Sequence, residues 1–223
     1  MISIKLLIYL SIGTLAMLVP IIILGAWYKI TLQKRVVSAV LLTIAGTIGT
    51  YILFFIENGW IGGTSFFGAI FFVPVLFLPV AKLIKVPHGV LMDICAPAEC
   101  IMLVIMKLQC FLNGCCEGRT VCFAGNEFIF PSQIAEMMNA FLIFAILMFI
   151  SYRKKQVEKI YPLFMIIYGF SRFILNIFRE SWITTEMFLP FGNIWSLVSI
   201  LAGTLCIVMI RKKRRKEMVI RTK

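Results

Sequence analysis

LLIYLSIGTLAMLVPIIILGAW, from Leu6 to Trp27, decides the architecture. Its 22 uncharged residues exceed the roughly 20 that a helix needs to cross the hydrocarbon core of a bilayer. The run is too long for the apolar region of a signal peptide and lacks a small-residue cleavage pattern, so it reads as a retained helix. Further stretches repeat the pattern at about 37–56, 65–84, 90–112, 132–151, 160–178 and 189–210. The spacing predicts an all-α integral membrane protein with seven transmembrane helices. One membrane domain covers 1–210, and a basic tail follows over 211–223.

Composition agrees. Hydrophobic residues make up 61% and charged residues 14% of the 223, where a soluble domain has about 25% charged residues. The mean hydropathy is +0.99. A net charge of +12 invites a nucleic-acid reading, but the cations fall in short clusters between apolar runs, which is the pattern of cytoplasmic loops. No nucleic-acid partner is expected.

Those clusters set the orientation. The first connection holds Lys29, Lys34 and Arg35, the third Lys82 and Lys85, and the fifth Arg153, Lys154, Lys155 and Lys159. The tail adds Arg211, Lys212, Lys213, Arg214, Arg215, Lys216, Arg221 and Lys223, whereas the even connections hold only Arg119 and Arg179. The alternation places the N-terminus outside and the C-terminus in the cytoplasm. The tail is also suited to anionic lipid head groups. Trp60, Trp182 and Trp195 fall near the outer boundaries, where an aromatic belt is expected. Pro74, Pro79 and Pro97 interrupt apolar runs, which a membrane helix tolerates when neighbours satisfy the freed carbonyls. Asp93 and Glu99 fit least easily.

The remaining polar residues gather on the outer side. KLQCFLNGCCEGR, Lys107 to Arg119, ends the fourth helix with Lys107 about two turns inside it, and Asn113-Gly114 is a helix-breaking pair. YGFSRFILNIFRE, Tyr168 to Glu180, brings Tyr168, Arg172 and Arg179 to one helix face, with Asn176 beside them. PSQIAE, Pro131 to Glu136, opens the fifth helix with Pro131 at its first position and Ser132 and Gln133 in its first turn. A buried guanidinium needs a carboxylate, a phosphate or a ring of acceptors. Glu136, Glu117 or Glu180 would serve as a structural partner. Two or three cations among amide and hydroxyl donors suit a lipid phosphate. The residues themselves point to an outward-opening site for a phospholipid head group.

Of the seven cysteines, Cys95, Cys100, Cys110 and Cys206 lie in apolar runs, where the thiol acts as a small hydrophobe. Cys115, Cys116 and Cys122 fall in the outer loop, and a disulfide from Cys122 to Cys115 or Cys116 is open on sequence grounds. No paired CxxC spacing with His appears, so neither a zinc site nor any cofactor is expected. His88, the single histidine, reads as a residue of a cytoplasmic connection.

In this order the clusters resemble the prolipoprotein diacylglyceryl transferase family. KLQCFLNGCCEGR resembles its RxGNFxNGExxGR motif, FPSQIAE its HPSQLYE-like stretch, and YGFSRFILNIFR its YGxxRxxxExxR. GGTSFFGA, Gly62 to Ala69, resembles a GGxSFHGG-like stretch, while Asp93, Ala96 and Pro97 match a D-x-x-A-P step and FGNIWS, Phe191 to Ser196, a GQxxS-like stretch. The resemblance covers roughly residues 60–205. It implies transfer of the diacylglyceryl group of phosphatidylglycerol to the lipobox cysteine of prelipoproteins, with glycerol phosphate leaving. The implied setting is the bilayer of the plasma membrane. It gives Arg172 and Lys107 catalytic roles, and gives substrate binding to Arg119, Arg179, Asn113, Gly114, Tyr168, Ser132 and Gln133. The chain departs from the pattern at Phe67 and Phe130, where the family has His, at Ala135 for Tyr, and at Cys115 and Asn176 for Glu. Lys107 stands for an Arg. A relative that binds lipid or lipoprotein without turnover, and a small transporter component, are the competing readings.

Overall fold

The computed structural model describes residues 4–60, 63–116, 118–123, 126–154, 158–179 and 191–221. In chain order its elements are α1 Ile4–Trp27, α2 Leu32–Asn58, α3 Phe66–Leu83, α4 His88–Leu112, β1 Thr120–Phe123, β2 Asn126–Ile129, α5 Ser132–Lys154, α6 Ile160–Asn176 and α7 Phe191–Arg221. Each helix lies where an apolar run predicts one. Six are long and apolar enough to cross a membrane, and α6, with 17 residues, is a shorter apolar helix. The all-α expectation needs one amendment. The loop after α4 folds into an antiparallel hairpin that pairs Thr120 with Ile129 and Cys122 with Glu127. Thr120, Val121, Phe128 and Ile129 are residue types that suit a pleated ladder. Helix α7 continues unbroken from Phe191 through Arg221, so most of the basic tail is helical.

Helix α4 is the axis of the bundle. Two thirds (67%) of its most apolar window is buried, against 39% or less for the other spans. The outer helices turn Leu, Ile, Val and Phe side chains outward, as in Leu15, Val40, Phe141 and Leu201. Where α2 meets α3, small residues let the backbones touch. A Cβ on Gly68 would stand 2.1 Å from the carbonyl oxygen of Gly49. Close approach of this kind is how membrane helices pack without a hydrophobic drive between them.

The elements alternate between two ends of the bundle. At one end Trp27 packs on Tyr152, with ring centroids 5.6 Å apart, and His88 places Nε2 2.8 Å from the carbonyl of Pro74. His88 is therefore the first residue of α4, bound to α3, and not a loop residue. Asp93 explains itself here. Its carboxylate accepts the backbone N–H groups of Glu158, Ile160 and Tyr161, capping α6 from a neighbouring helix. Four N–H groups at a helix start have no partner within the helix. The Tyr161 hydroxyl donates to the carbonyl of Ile70 at 2.9 Å and to Oε1 of Glu99 at 3.3 Å. Ile70 lies four residues before Pro74, whose ring nitrogen has no hydrogen to give it. This is the carbonyl rescue that Pro74 requires.

The opposite end carries the polar cluster. Trp60 is exposed there, whereas Trp195 is not part of a lipid-facing belt. It packs against the core, 5.8 Å from the ring of Phe71. Trp182 lies outside the described residues.

Candidate functional site

Three cations from three different places converge on one carboxylate. Lys107 of α4 puts Nζ 2.6 Å from Oε2 of Glu136 on α5. Arg172 of α6 puts a guanidinium nitrogen 2.5 Å from the same oxygen. Arg179, just past α6, stands 3.8 Å from Oε1. Glu136 and Arg172 are both buried. Three cations against one carboxylate leave a formal excess of +2 in a region from which water is largely excluded. Charges there interact far more strongly than in water. Such a group is stable only if an anion shares it.

The cluster forms part of the wall of a cavity of about 500 Å3. Tyr168, Asn176 and Cys116 line it beside Lys107, Arg172, Arg179 and Glu136. Away from them the wall is apolar, with Leu6, Leu10, Met17, Leu42 and Leu103 from α1, α2 and α4. The space is amphipathic, as a lipid with a charged head would require. Glu57 and Glu99 also line it. Their carboxylates serve other partners, since Glu57 accepts the Ser65 hydroxyl at 2.9 Å and Glu99 that of Tyr161. Phe67 lies on the wall and is buried against the rings of Phe71 and Tyr168. No histidine reaches the site. His88 begins α4 and is 19 residues from Lys107, about 28 Å along the helix at 1.5 Å per residue.

The other expected binding residues shape the loop beside the cavity and do not line it. Asn113 caps α4 and Gly114 follows with φ 64°, so this pair ends the helix as its sequence indicates. Cys116 takes φ 62°, a left-handed conformation uncommon for a residue with a side chain. Two donors from the start of α5 hold that turn. Ser132 donates its hydroxyl to the carbonyl of Cys116 at 2.6 Å, and Gln133 its amide to that of Cys115 at 2.8 Å. Pro131 precedes Ser132 and supplies the carbonyl for Ala135, so it caps α5 and is not its first residue. Arg119 lies over the ring of Phe178 at 5.7 Å, and its backbone joins Phe178 to Phe130. Gly118 bridges Arg179, and a Cβ there would meet the Phe130 carbonyl at 2.2 Å. Asn176 donates to Oδ1 of buried Asn193 at 2.7 Å, which ties α6 to the start of α7.

All seven cysteines are free thiols. Cys122 sits on β1, and the thiol that joins Cys115 and Cys116 is instead that of Cys110, on the last turn of α4. The Cys110 thiol hydrogen-bonds to Cys116, and Lys107 and Arg179 add positive charge. Together they pull Cys116 down to about 5 against the opposing effect of burial.

Glu136 and Cys110 are the site residues that sequence reading undervalues. The available signal for Glu136 was the need of the buried Arg172 guanidinium for a carboxylate. Glu117 and Glu180, the other carboxylates considered for that role, lie outside the described residues.

Comparison with known proteins gives the family. The profile of the family described as prolipoprotein diacylglyceryl transferase matches residues 3–209. A phosphatidylglycerol–prolipoprotein diacylglyceryl transferase of Geobacter sulfurreducens is 30% identical over 167 residues, covering 70% of this chain and 64% of the relative. Its namesake in Mannheimia succiniciproducens is 30% identical over 168 residues, with 70% and 63% covered. One from Francisella tularensis is 28% identical over 177 residues, with 71% and 64% covered. The chain thus spans a little under two thirds of the length of these relatives. With six helices able to cross a bilayer, it is a multi-pass membrane protein, and it belongs to the prolipoprotein diacylglyceryl transferase family.

Proposed function

We propose that this chain moves the diacylglyceryl group of phosphatidylglycerol onto the lipobox cysteine of a prelipoprotein, at the outer face of the bacterial plasma membrane. The observation that carries this is the excess of cations over carboxylate around Glu136, at the polar end of an otherwise apolar cavity. Acyl chains fit the apolar part, and the phosphate completes the charge balance at Lys107, Arg172 and Arg179. The planar guanidinium of Arg172 offers two parallel donors to phosphate oxygens.

In the reaction the acceptor thiolate attacks the glyceryl carbon that bears the phosphate. The carbon–oxygen bond breaks, a thioether forms and glycerol phosphate leaves with an added negative charge. The cation cluster is placed to stabilise that charge as it develops, which is the interaction that lowers a barrier. Lys107 and Arg172 do this directly. Arg179, farther from Glu136, is the freest to turn to the incoming head group. Ser132, Gln133, Asn113, Gly114 and Arg119 support the loop that forms the rim. The positive-inside distribution supports placing the cluster end outward, because Lys29, Lys82, Lys85 and Arg153 all lie in connections or last helical turns at the other end.

The test is turnover. Purified protein given phosphatidylglycerol and a lipobox peptide is expected to release glycerol phosphate and to raise the peptide mass by one diacylglyceryl group. Binding of both without release would instead favour a lipid- or lipoprotein-binding relative, a reading motivated by Phe67, Cys115 and Asn176.

A further inference from the structure

The three thiols at the rim are arranged as a ligand set. Cys110, Cys115 and Cys116 bring their Sγ atoms within 4.8 Å of one another. A tetrahedral zinc ion with bonds of about 2.3 Å separates its sulfur ligands by about 3.8 Å, so small side-chain rotations would close the set. The backbone is built to hold it. Cys110 comes from the rigid end of α4, while Cys115 and Cys116 come from the turn clasped by Ser132 and Gln133. Cys116 joins the group from a left-handed conformation. Strain of that kind costs about 1–3 kcal/mol and persists where the surroundings enforce it, often at functional positions. Among the described residues no fourth Cys, His, Asp or Glu completes the set. Cys110 and Cys116 line the lipid cavity, so the triad stands at its edge.

We propose that Cys110, Cys115 and Cys116 bind one divalent cation of the zinc class, and that the fourth position of its tetrahedron, open to the cavity, takes an incoming cysteine thiol. Structural zinc sites are closed by four protein ligands, whereas three protein ligands leave a position for substrate. Three thiolates and a dication carry a net charge of −1, which Lys107 and Arg179 face. Resting on the transferase reading, the site has a purpose. The cavity contains no histidine to deprotonate the acceptor, and a coordinated thiol loses its proton outright. The acceptor sulfur would bind the cation as thiolate and release its proton to water. It would then attack the glyceryl carbon as the carbon–oxygen bond to phosphate breaks, leaving a thioether, a poorer ligand that dissociates.

The test uses the full chain, reduced and chelator-stripped in detergent micelles, with Co(II) as an optical probe and Zn(II) as competitor. One Co(II) per chain is expected, with sulfur charge-transfer absorption and a tetrahedral ligand-field spectrum. Cys110→Ser, Cys115→Ser and Cys116→Ser should each weaken binding by more than the roughly 10–100-fold that loss of a mere supporting partner costs. A lipobox peptide should shift the ligand-field bands, and its Cys→Ser version should not. X-ray absorption of the wild-type Zn(II) form keeps the test independent of whether the variants fold. It should count three sulfurs, and four with the peptide. Absence of sulfur-bound metal, a native disulfide among the three, or a peptide that leaves the spectrum unchanged would overturn the proposal. Glycerol phosphate release is assayed separately. Full turnover by stripped protein overturns the metal's part and leaves the transferase reading. A sulfur count rising from three to four without any turnover supports the site and sinks that reading.

Discussion

Arg172 and Glu136 meet at 2.5 Å between α6 and α5, yet the oxygen they share also receives Lys107 at 2.6 Å. One carboxylate thus holds three helices together and still leaves positive charge to spare. Glu136→Gln keeps the shape and removes the carboxylate that Lys107, Arg172 and Arg179 share. Breaking a buried pair in this way costs about 3–5 kcal/mol, so the variant should unfold at clearly lower temperature. Phosphatidylglycerol should restore much of the loss, because a ligand bound only to the folded state stabilises it. Thermal unfolding in micelles, with phosphatidylglycerol or with phosphatidylcholine, measures this. Equal rescue by both lipids would count against an anion site.

Arg172→Ala should lower glycerol phosphate release by roughly 100–1000-fold, the usual cost of removing one donor to a developing charge. Arg172→Lys should recover only part, because a point charge replaces a fork. Arg119 stacks on Phe178 away from the cavity, so Arg119→Ala should cost less than tenfold. Initial rates of the three variants under lipid saturation decide the order.

Asp93 acts at the far end. Asp93→Ala strips three backbone N–H groups of α6 of their shared acceptor. A lost cap and unpaired buried donors together cost about 2 kcal/mol or more. Hydrogen exchange should quicken first at Glu158, Ile160 and Tyr161, while lipid affinity of the remaining folded protein stays within about threefold.

Gly68→Val places a branched side chain where the Gly49 carbonyl already lies. Two backbones cannot give way as a flexible side chain would, so α2 and α3 must separate or the protein must fail to assemble. Yield in the membrane fraction and melting temperature report the result. Wild-type values would mean that the helices do not touch there.

Cys116 is held at about 5, with hydrogen-bond donation from the Cys110 thiol as the largest cause. A lowered value means that the thiolate already dominates at neutral pH, where an ordinary thiol is mostly protonated. Alkylation of metal-free protein by iodoacetamide at Cys116 should therefore level off by about pH 6.5, followed by peptide mass mapping. A rate that keeps climbing through pH 8 would contradict the assignment.

The helices were legible because a bilayer imposes a length and a composition that few sequences meet by accident. Six predicted spans match an observed helix to within about five residues at each end, the seventh runs past its predicted end at 210 to Arg221, and Asn113-Gly114 ends α4 by the chemistry of its backbone. Contacts between helices were a different matter. Glu136 lies 29 residues from Lys107 and 36 from Arg172, and its rotation toward them depends on how α4, α5 and α6 pack. Ser132 and Gln133 looked like ligand donors, but their partners are carbonyls of a turn 16 and 18 residues earlier. Cys110 passed for a small hydrophobe because nothing local shows that the chain turns back on it. The hairpin stayed hidden inside the fourth connection because its strands have only four residues each.

The brevity of α6 has a mechanical consequence. Its 17 residues extend about 26 Å at 1.5 Å per residue, less than the roughly 30 Å of a bilayer's hydrocarbon slab. Asp93 anchors one terminus of this helix and Glu136 holds Arg172 near the other, so tilting or sliding cannot hide the deficit. A local dimple in the surrounding leaflet is one of the accommodations that hydrophobic mismatch allows, beside snorkelling side chains and association with other spans. Such a dimple would lower lipid head groups toward the guanidinium groups, and a substrate would enter sideways from the membrane without being lifted out of it.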